Sequence, residues 1–143
     1  AAVVYLANEP VVLRAQGYEI NVIRVADYME LVANGLVTNE STISENPQQV
    51  TAFINALLKG IADTIENPVE AYEISEKFVE NLAEADATVQ RQVLAESIKL
   101  WQTERLGYSQ PSSWINMQQV LLDMGLLEET LNLEEAFTND LLP

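Results

Sequence analysis

The chain has 143 residues, of which 22 are acidic and 7 are basic, so its formal charge is −15. This excess of acid argues against nucleic acid and anionic membrane surfaces as partners, because clustered Lys and Arg bind both. The absence of Cys and His excludes disulfides, thiolate zinc sites, cysteine nucleophiles and imidazole bases within these residues. Apolar residues make up 48% of the chain, which is typical of a chain that buries a core.

The first forty residues carry the strand signals of the sequence. Ala2–Ala7 is a short apolar run, and Glu19–Val25 alternates polar and β-branched residues. Between them, Pro10–Gln16 predicts a short helix that Gly17 ends in the left-handed conformation. Strand, helix and strand in this order predict a parallel βαβ unit. Leu31–Asn39 is a third extended candidate.

From residue 46 onward the pattern is helical. Helix start signals, each a capping residue or a first-turn proline, occur at Asn46-Pro47, Asn67-Pro68, Asp86, Pro111 and Asn132. Apolar residues follow them at spacings of three and four, as in amphipathic helices. Such helices need an apolar surface to cover, and two or three strands supply little. We therefore expect strands from sequence outside these residues to complete a sheet.

Six glutamates between residues 66 and 84 form a dense array of carboxylates. Their spacing is typical of the solvated face of an amphipathic helix, and no calcium-loop spacing accompanies them. We predict no metal site here, no catalytic residue and no cofactor, because no residues are placed as a nucleophile or a general base. The six are Glu66, Glu70, Glu73, Glu76, Glu80 and Glu84.

Asn8-Glu9-Pro10 lies after the first predicted strand and before the first predicted helix. In open α/β sheets ligands bind at this position, where loops converge and helix amino termini present free N–H groups. The Glu9 carboxylate could accept hydrogen bonds from ring or amino N–H groups, and Asn8 offers one donor and one acceptor. The alternative is that Asn8 or Glu9 only caps the helix. Spacing alone leaves both readings open.

Several segments together resemble one family. The chain is similar to the carboxyl-terminal half of solute-binding proteins of ABC importers, in the family of thiamine-pyrimidine, riboflavin, alkanesulfonate and nitrate binders. Within the family it is most similar to the thiamine-pyrimidine and riboflavin branch. The segments that carry the resemblance are Ala2–Pro10, Gly17–Ile23, Val32–Glu40, Asn46–Ala56, Leu106–Trp114, Met124–Leu127 and Phe137–Asn139.

The resemblance implies a partial periplasmic-binding-protein fold of the second type, which is an α/β fold of two lobes. Here it would be rich in helix, with the short parallel βαβ unit at its amino terminus. Residues 1–30 would end the second lobe, residues 31–39 would cross between lobes, and residues 40–143 would form the helical carboxyl-terminal part of the first lobe. The amino-terminal half would be missing from this sequence.

The resemblance also implies a function. The protein would capture a small heterocycle, a thiamine-pyrimidine precursor or a riboflavin-like molecule, between two closing lobes and pass it to an ABC permease. Glu9 would face the ligand with Asn8 and Tyr5 nearby, and Asn34-Gly35 would serve as the hinge. We expect an exported protein at the periplasmic or extracellular face, with lipid anchoring through the missing half as one form of attachment.

Two other functions stay open at this point. The same fold includes pyrimidine-precursor synthases, and a helical interaction module without a ligand would suit the acidic surface as well. We favour a binder over an enzyme because nothing in these residues positions catalytic groups. An unfinished sheet edge invites pairing with another chain, so we also expect a homodimer of these residues at crystal concentrations.

Overall fold

A computed structural model describes all 143 residues and contains seven α-helices and two short 3-10 turns. None of the helices combines the length and the apolarity that crossing a membrane requires. The helices are α1 (Glu9–Ala15), α2 (Glu40–Glu45), α3 (Pro47–Glu66), α4 (Pro68–Ser75), α5 (Ala87–Trp101), α6 (Pro111–Asp123) and α7 (Leu133–Ala136), and the 3-10 turns are Val25–Asp27 and Leu82–Glu84.

The predicted helix starts are confirmed. Proline is the first residue of α3, α4 and α6, where its missing N–H leaves no helical bond unmade. The Asp86 carboxylate accepts hydrogen bonds from the N–H groups of Thr88 and Val89, at 2.9 and 3.2 Å, and so caps α5. The Asn132 side chain caps α7 in the same way, at 3.2 Å from the Glu134 nitrogen.

Gly17 ends α1 as predicted, with a φ of +86°. The N–H of Tyr18 donates to the Leu13 carbonyl at 3.0 Å, and the N–H of Gly17 donates to the Arg14 carbonyl at 2.9 Å. This pair of bonds is the Schellman motif, which satisfies carbonyls that a helix end leaves unpaired. Gly125 ends α6 with the same two bonds and a φ of +68°.

The predicted βαβ unit is wrong for this structure. Neither Ala2–Ala7 nor Glu19–Val25 forms a strand, and Leu31–Asn39 forms none either. A strand exists only where a neighbouring extended segment takes up its backbone N–H and C=O groups, and no such segment pairs with these residues. Their side chains also lack a covering layer, since Val3 is 100% and Ile23 is 79% exposed. The helix-rich part of the prediction and the helix between the two segments are confirmed.

The contacts divide the chain into two units. Unit 1 holds Ala1–Ile23 and Leu58–Leu106, and unit 2 holds Arg24–Leu57 and Gly107–Pro143. In unit 1, α1 and α4 both pack against α5. The core of this unit is small, and its buried residues are Ala7, Pro10, Tyr72 and Ile98.

Tyr72 is the largest buried residue of unit 1. Its ring lies under the guanidinium of Arg91, 4.1 Å from the ring centroid, so that α4 and α5 are joined by a cation–π contact. The Tyr72 hydroxyl is buried without a hydrogen-bond partner. Leaving such a group unpaired costs about 1–3 kcal/mol. The Tyr72 ring therefore stabilises the folded unit, whereas its unpaired hydroxyl destabilises it.

Unit 2 is held by side chains that bind backbone groups far away in the sequence. The Asn139 amide pairs with both backbone groups of Ser109, accepting from its N–H and donating to its C=O, each at 2.9 Å. The Trp114 indole N–H donates to the Ser109 hydroxyl at 2.8 Å. The same indole stacks on Phe137 with ring centroids 4.9 Å apart. These contacts fasten residues 137–139 to the start of α6.

Two glycines provide a matched test of this local architecture. A Cβ added at Gly17 or at Gly60 meets no atom within 4 Å, so the two sites differ in backbone conformation and not in space. We expect Gly17→Ala to lower the free energy of unfolding by about 1 kcal/mol, because an L-residue is strained at positive φ. We expect Gly60→Ala, in the middle of α3, to raise it by about 0.5–1 kcal/mol.

Urea unfolding of both variants measures these changes, with an unchanged slope showing that the denatured state is the same. A destabilising Gly60→Ala, or a neutral Gly17→Ala, would contradict the assignment of these two backbone conformations.

Candidate functional site

The predicted ligand-binding residues lie in one turn at the start of α1. The N–H of Asn8 donates to the Tyr5 carbonyl at 3.1 Å, which closes the turn. The buried residues Ala7 and Pro10 fix this turn to unit 1. Asn8 is exposed and Tyr5 is 63% exposed, so the turn presents both side chains on the surface. The structure therefore brings Tyr5, Asn8 and Glu9 together.

The Glu9 carboxylate folds back onto this turn. Its Oε2 accepts a hydrogen bond from the N–H of Tyr5 at 3.1 Å, and the side chain is half-buried. A carboxylate offers about four acceptor positions, so one bond to the backbone leaves capacity for others. Glu9 also lies in the first turn of α1, where the helix dipole stabilises a negative charge. The turn thus holds an oriented anion.

The alternative role as a simple helix cap holds for neither residue. Asn8 occupies the N-cap position of α1, yet its side chain makes no capping hydrogen bond. Glu9 binds the turn that precedes the helix, and not the free N–H groups of the helix itself. Sequence reasoning missed this bond. The bond differs from a capping box, in which a glutamate at the third helical position reaches back to the N-cap N–H, because Glu9 is the first residue of α1 and binds the N–H of Tyr5.

A shallow pocket lies at the other end of α1, between α1 and α5. Its volume is about 270 Å³, and no residue of the predicted site lines it. The Asp86 carboxylate on its rim already caps α5. The lining residues are Val12, Ala15, Gln16, Asp86, Val89 and Gln90.

The predicted hinge residues belong to unit 2. Asn34 and Gly35 lie in residues 28–39, which carry no helix or strand, and the backbone bends at Asn34. A Cβ added at Gly35 meets no atom within 4 Å, and its φ is not positive. Alanine therefore fits the observed conformation of Gly35.

A family model described as NMT1/THI5 like matches residues 1–71. They include the turn with Tyr5, Asn8 and Glu9, the helix α1 and the bend at Asn34.

Two relatives extend the similarity over nearly the whole chain. The chain is 41% identical to the riboflavin-binding protein RibY of Chloroflexus aurantiacus, across 99% of the chain and 42% of that protein. It is 28% identical to the formylaminopyrimidine-binding protein of Halalkalibacterium halodurans, across 94% of the chain and 42% of that protein. The chain spans about two fifths of the length of these curated relatives. The predicted resemblance to binders of flavins and thiamine pyrimidines is confirmed.

Substitution of Glu9 tests the local bond apart from any ligand. Glu9→Gln keeps a side-chain oxygen for the N–H of Tyr5, whereas Glu9→Ala removes it. We expect the Tyr5 amide proton to exchange about five-fold faster in Glu9→Ala, since a hydrogen bond of this kind contributes about 1 kcal/mol. In Glu9→Gln we expect a smaller change. Amide exchange followed by NMR measures both.

The matched control is Glu19→Ala, because Glu19 is an exposed glutamate of the same unit. This substitution should leave the exchange rate of the Tyr5 amide unchanged. If the Tyr5 amide exchanged at the same rate in Glu9→Ala and in the unsubstituted protein, the hydrogen bond to Glu9 would not order this turn.

Proposed function

We propose that these residues are part of a solute-binding protein that captures a small heterocyclic metabolite of the flavin or aminopyrimidine class. The observation that carries this proposal is the 41% identity to a riboflavin-binding protein across 99% of the chain. The second relative binds a formylaminopyrimidine, as its name says. Both ligands are flat heterocycles with N–H donors, so one acceptor site serves either.

We propose binding rather than catalysis as the activity. Both relatives are named as binding proteins. The chemistry of the turn supports the same conclusion: it offers a carboxylate, an amide and a phenol, which are groups that pair with a ligand's polar atoms. A binder of this kind discriminates because every polar group that it buries must find a partner.

Glu9 is the residue that we propose to bind the heterocycle. Its carboxylate is held in place by the Tyr5 N–H, so it would accept hydrogen bonds from ring or exocyclic N–H groups without first being ordered. Asn8 lies next to it and would donate or accept one further bond. The Tyr5 ring lies on the same turn and offers a flat face against which a heterocycle stacks.

The remaining part of the protein would complete the fold. Apolar side chains near the amino terminus of this chain are uncovered, since Val3 is 100% and Ile23 is 79% exposed. The predicted strands Ala2–Ala7 and Glu19–Val25 would gain partners in a two-lobed binding protein. Residues 1–30 would then end one lobe, residues 31–39 would cross between lobes, and residues 40–143 would belong to the other lobe. This division differs from the two contact units, which group residues 1–23 with 58–106.

Closure of two lobes around the ligand would create the form that an ABC permease recognises. A protein with this task works outside the cytoplasmic membrane, in the periplasm or at the cell surface. The same uncovered segments would pair with a second copy if these residues were isolated, and light scattering of the isolated residues decides whether they do.

Calorimetry on the intact protein tests the proposed function and the proposed site separately. We expect riboflavin or formylaminopyrimidine to bind, and Glu9→Gln to weaken that binding about 10- to 100-fold, because a hydrogen bond to a charged group contributes about 1.5–3 kcal/mol. Glu9→Gln keeps the local acceptor for Tyr5, so its effect reports on the ligand.

Glu19→Gln is the control with the same change in charge. Its affinity for riboflavin or formylaminopyrimidine should equal that of the unsubstituted protein. Unchanged affinity in Glu9→Gln would refute the site. Failure of the unsubstituted protein to bind flavins, pyrimidines or related heterocycles would refute the function.

A further inference from the structure

Residues 28–39 form an irregular segment between the 3-10 turn Val25–Asp27 and α2. Most of this segment is exposed, and Val37 is 96% exposed. In the proposed function this stretch contains the crossing segment, and the sequence places the hinge at Asn34-Gly35. Whether a hinge can act there depends on how the two ends of the segment are held.

The carboxyl-terminal end of the segment is tied to α2. The Asn39 Oδ1 accepts hydrogen bonds from the N–H of Thr42 and the hydroxyl of Ser41, both at 2.8 Å. The Asn39 carbonyl also accepts from the N–H of Ile43 at 3.2 Å. Asn39 is thus the N-cap of α2, and its position follows that helix.

The amino-terminal end of the segment is tied to α6. The Asn116 side-chain amide donates to the carbonyl of Glu30 at 2.9 Å, across 86 residues of sequence. Asn116 is half-buried near the middle of α6, so its backbone is fixed by the helix on both sides. From the same helix, the Gln118 Oε1 accepts from the N–H of Leu131 at 2.7 Å.

Glu30, Asn39, α2 and α6 all belong to unit 2. Because Glu30 is bonded to α6 and Asn39 to α2 within this unit, a rotation at Asn34-Gly35 displaces the chain that precedes Glu30 only if the bond between Asn116 and Glu30 breaks. The dihedral changes of a hinge must fall between the bodies that move.

We infer that Asn116 is a positioning residue that fixes the start of the crossing segment to α6 and so places the hinge before Glu30, not at Asn34-Gly35. This inference rests on the proposed function, since a hinge is needed only if two lobes close. Asn116 holds the start of the segment at Glu30 before ligand binds, and this reduces the entropy that ordering the segment would otherwise cost on closure.

Two variants separate the hydrogen bond from packing. Asn116→Ala removes the side chain, and Asn116→Asp keeps its shape but loses the N–H donor. Gln119→Ala is the matched control, because Gln119 lies on the same helix and its amide bonds only to Asp123, at 2.8 Å and one turn away. These residues contain no cysteine, so Val37→Cys places a nitroxide spin label within the segment.

In the intact protein without ligand, we expect the label at residue 37 to become more mobile in Asn116→Ala and Asn116→Asp and to stay unchanged in Gln119→Ala. Equal mobility in all the proteins would overturn the inference. So would a mobile label in Asn116→Ala alone, because packing rather than the donor would then hold the segment.

Riboflavin affinity and its rate of binding test the placement of the hinge. We expect both Asn116 variants to weaken binding about two- to ten-fold, the value of one hydrogen bond, and Gly35→Ala to leave affinity and rate unchanged. If Gly35→Ala slowed or weakened riboflavin binding, the hinge would lie at Asn34-Gly35 and the inference would be wrong. If the unsubstituted protein binds neither riboflavin nor formylaminopyrimidine, the proposed function fails, while the spin label still decides whether Asn116 holds the segment.

Discussion

The hydrogen bond from the Tyr5 N–H to the Glu9 carboxylate is the interaction on which the candidate site depends. It joins residues four apart at 3.1 Å, on a turn whose buried residues Ala7 and Pro10 are fixed to unit 1. One bond therefore sets the direction of an anion and orders the exposed residues beside it. Such ordering is what a binding site needs before its ligand arrives, because a disordered carboxylate would lose entropy on binding.

The sequence predicts those features of the fold that neighbouring residues determine. Prolines and capping residues mark the starts of five helices, and Gly17 marks the end of α1, because these signals act within one turn of helix. The strand predictions were wrong for a reason that the same argument supplies. The pattern of Glu19–Val25 specifies a side-chain alternation, but a strand also needs a paired neighbour, and a local pattern does not show whether one exists.

The same distinction applies to the candidate site and to the long-range contacts of unit 2. The turn at Asn8-Glu9-Pro10 could be located because it follows an apolar run and precedes a proline-marked helix. The ties of Asn116 to Glu30 and of Asn139 to Ser109 span 86 and 30 residues, and a lone asparagine carries no signal for a partner at that distance. Polar contacts between residues far apart in the sequence can be identified only from the folded structure.

The side-chain amides that join distant parts of unit 2 form hydrogen bonds that are insensitive to salt and pH. Asn116, Gln118 and Asn139 are uncharged, so neither added salt nor a change in acidity alters the groups that they join. The ion pairs of Lys59 with Asp63 and of Lys99 with Glu96 are exposed and only link neighbours on one helix, where screening weakens them. The chain carries a charge of −15, but the hydrogen bonds between distant residues of unit 2 do not depend on that charge. They therefore persist over a wide range of ionic strength.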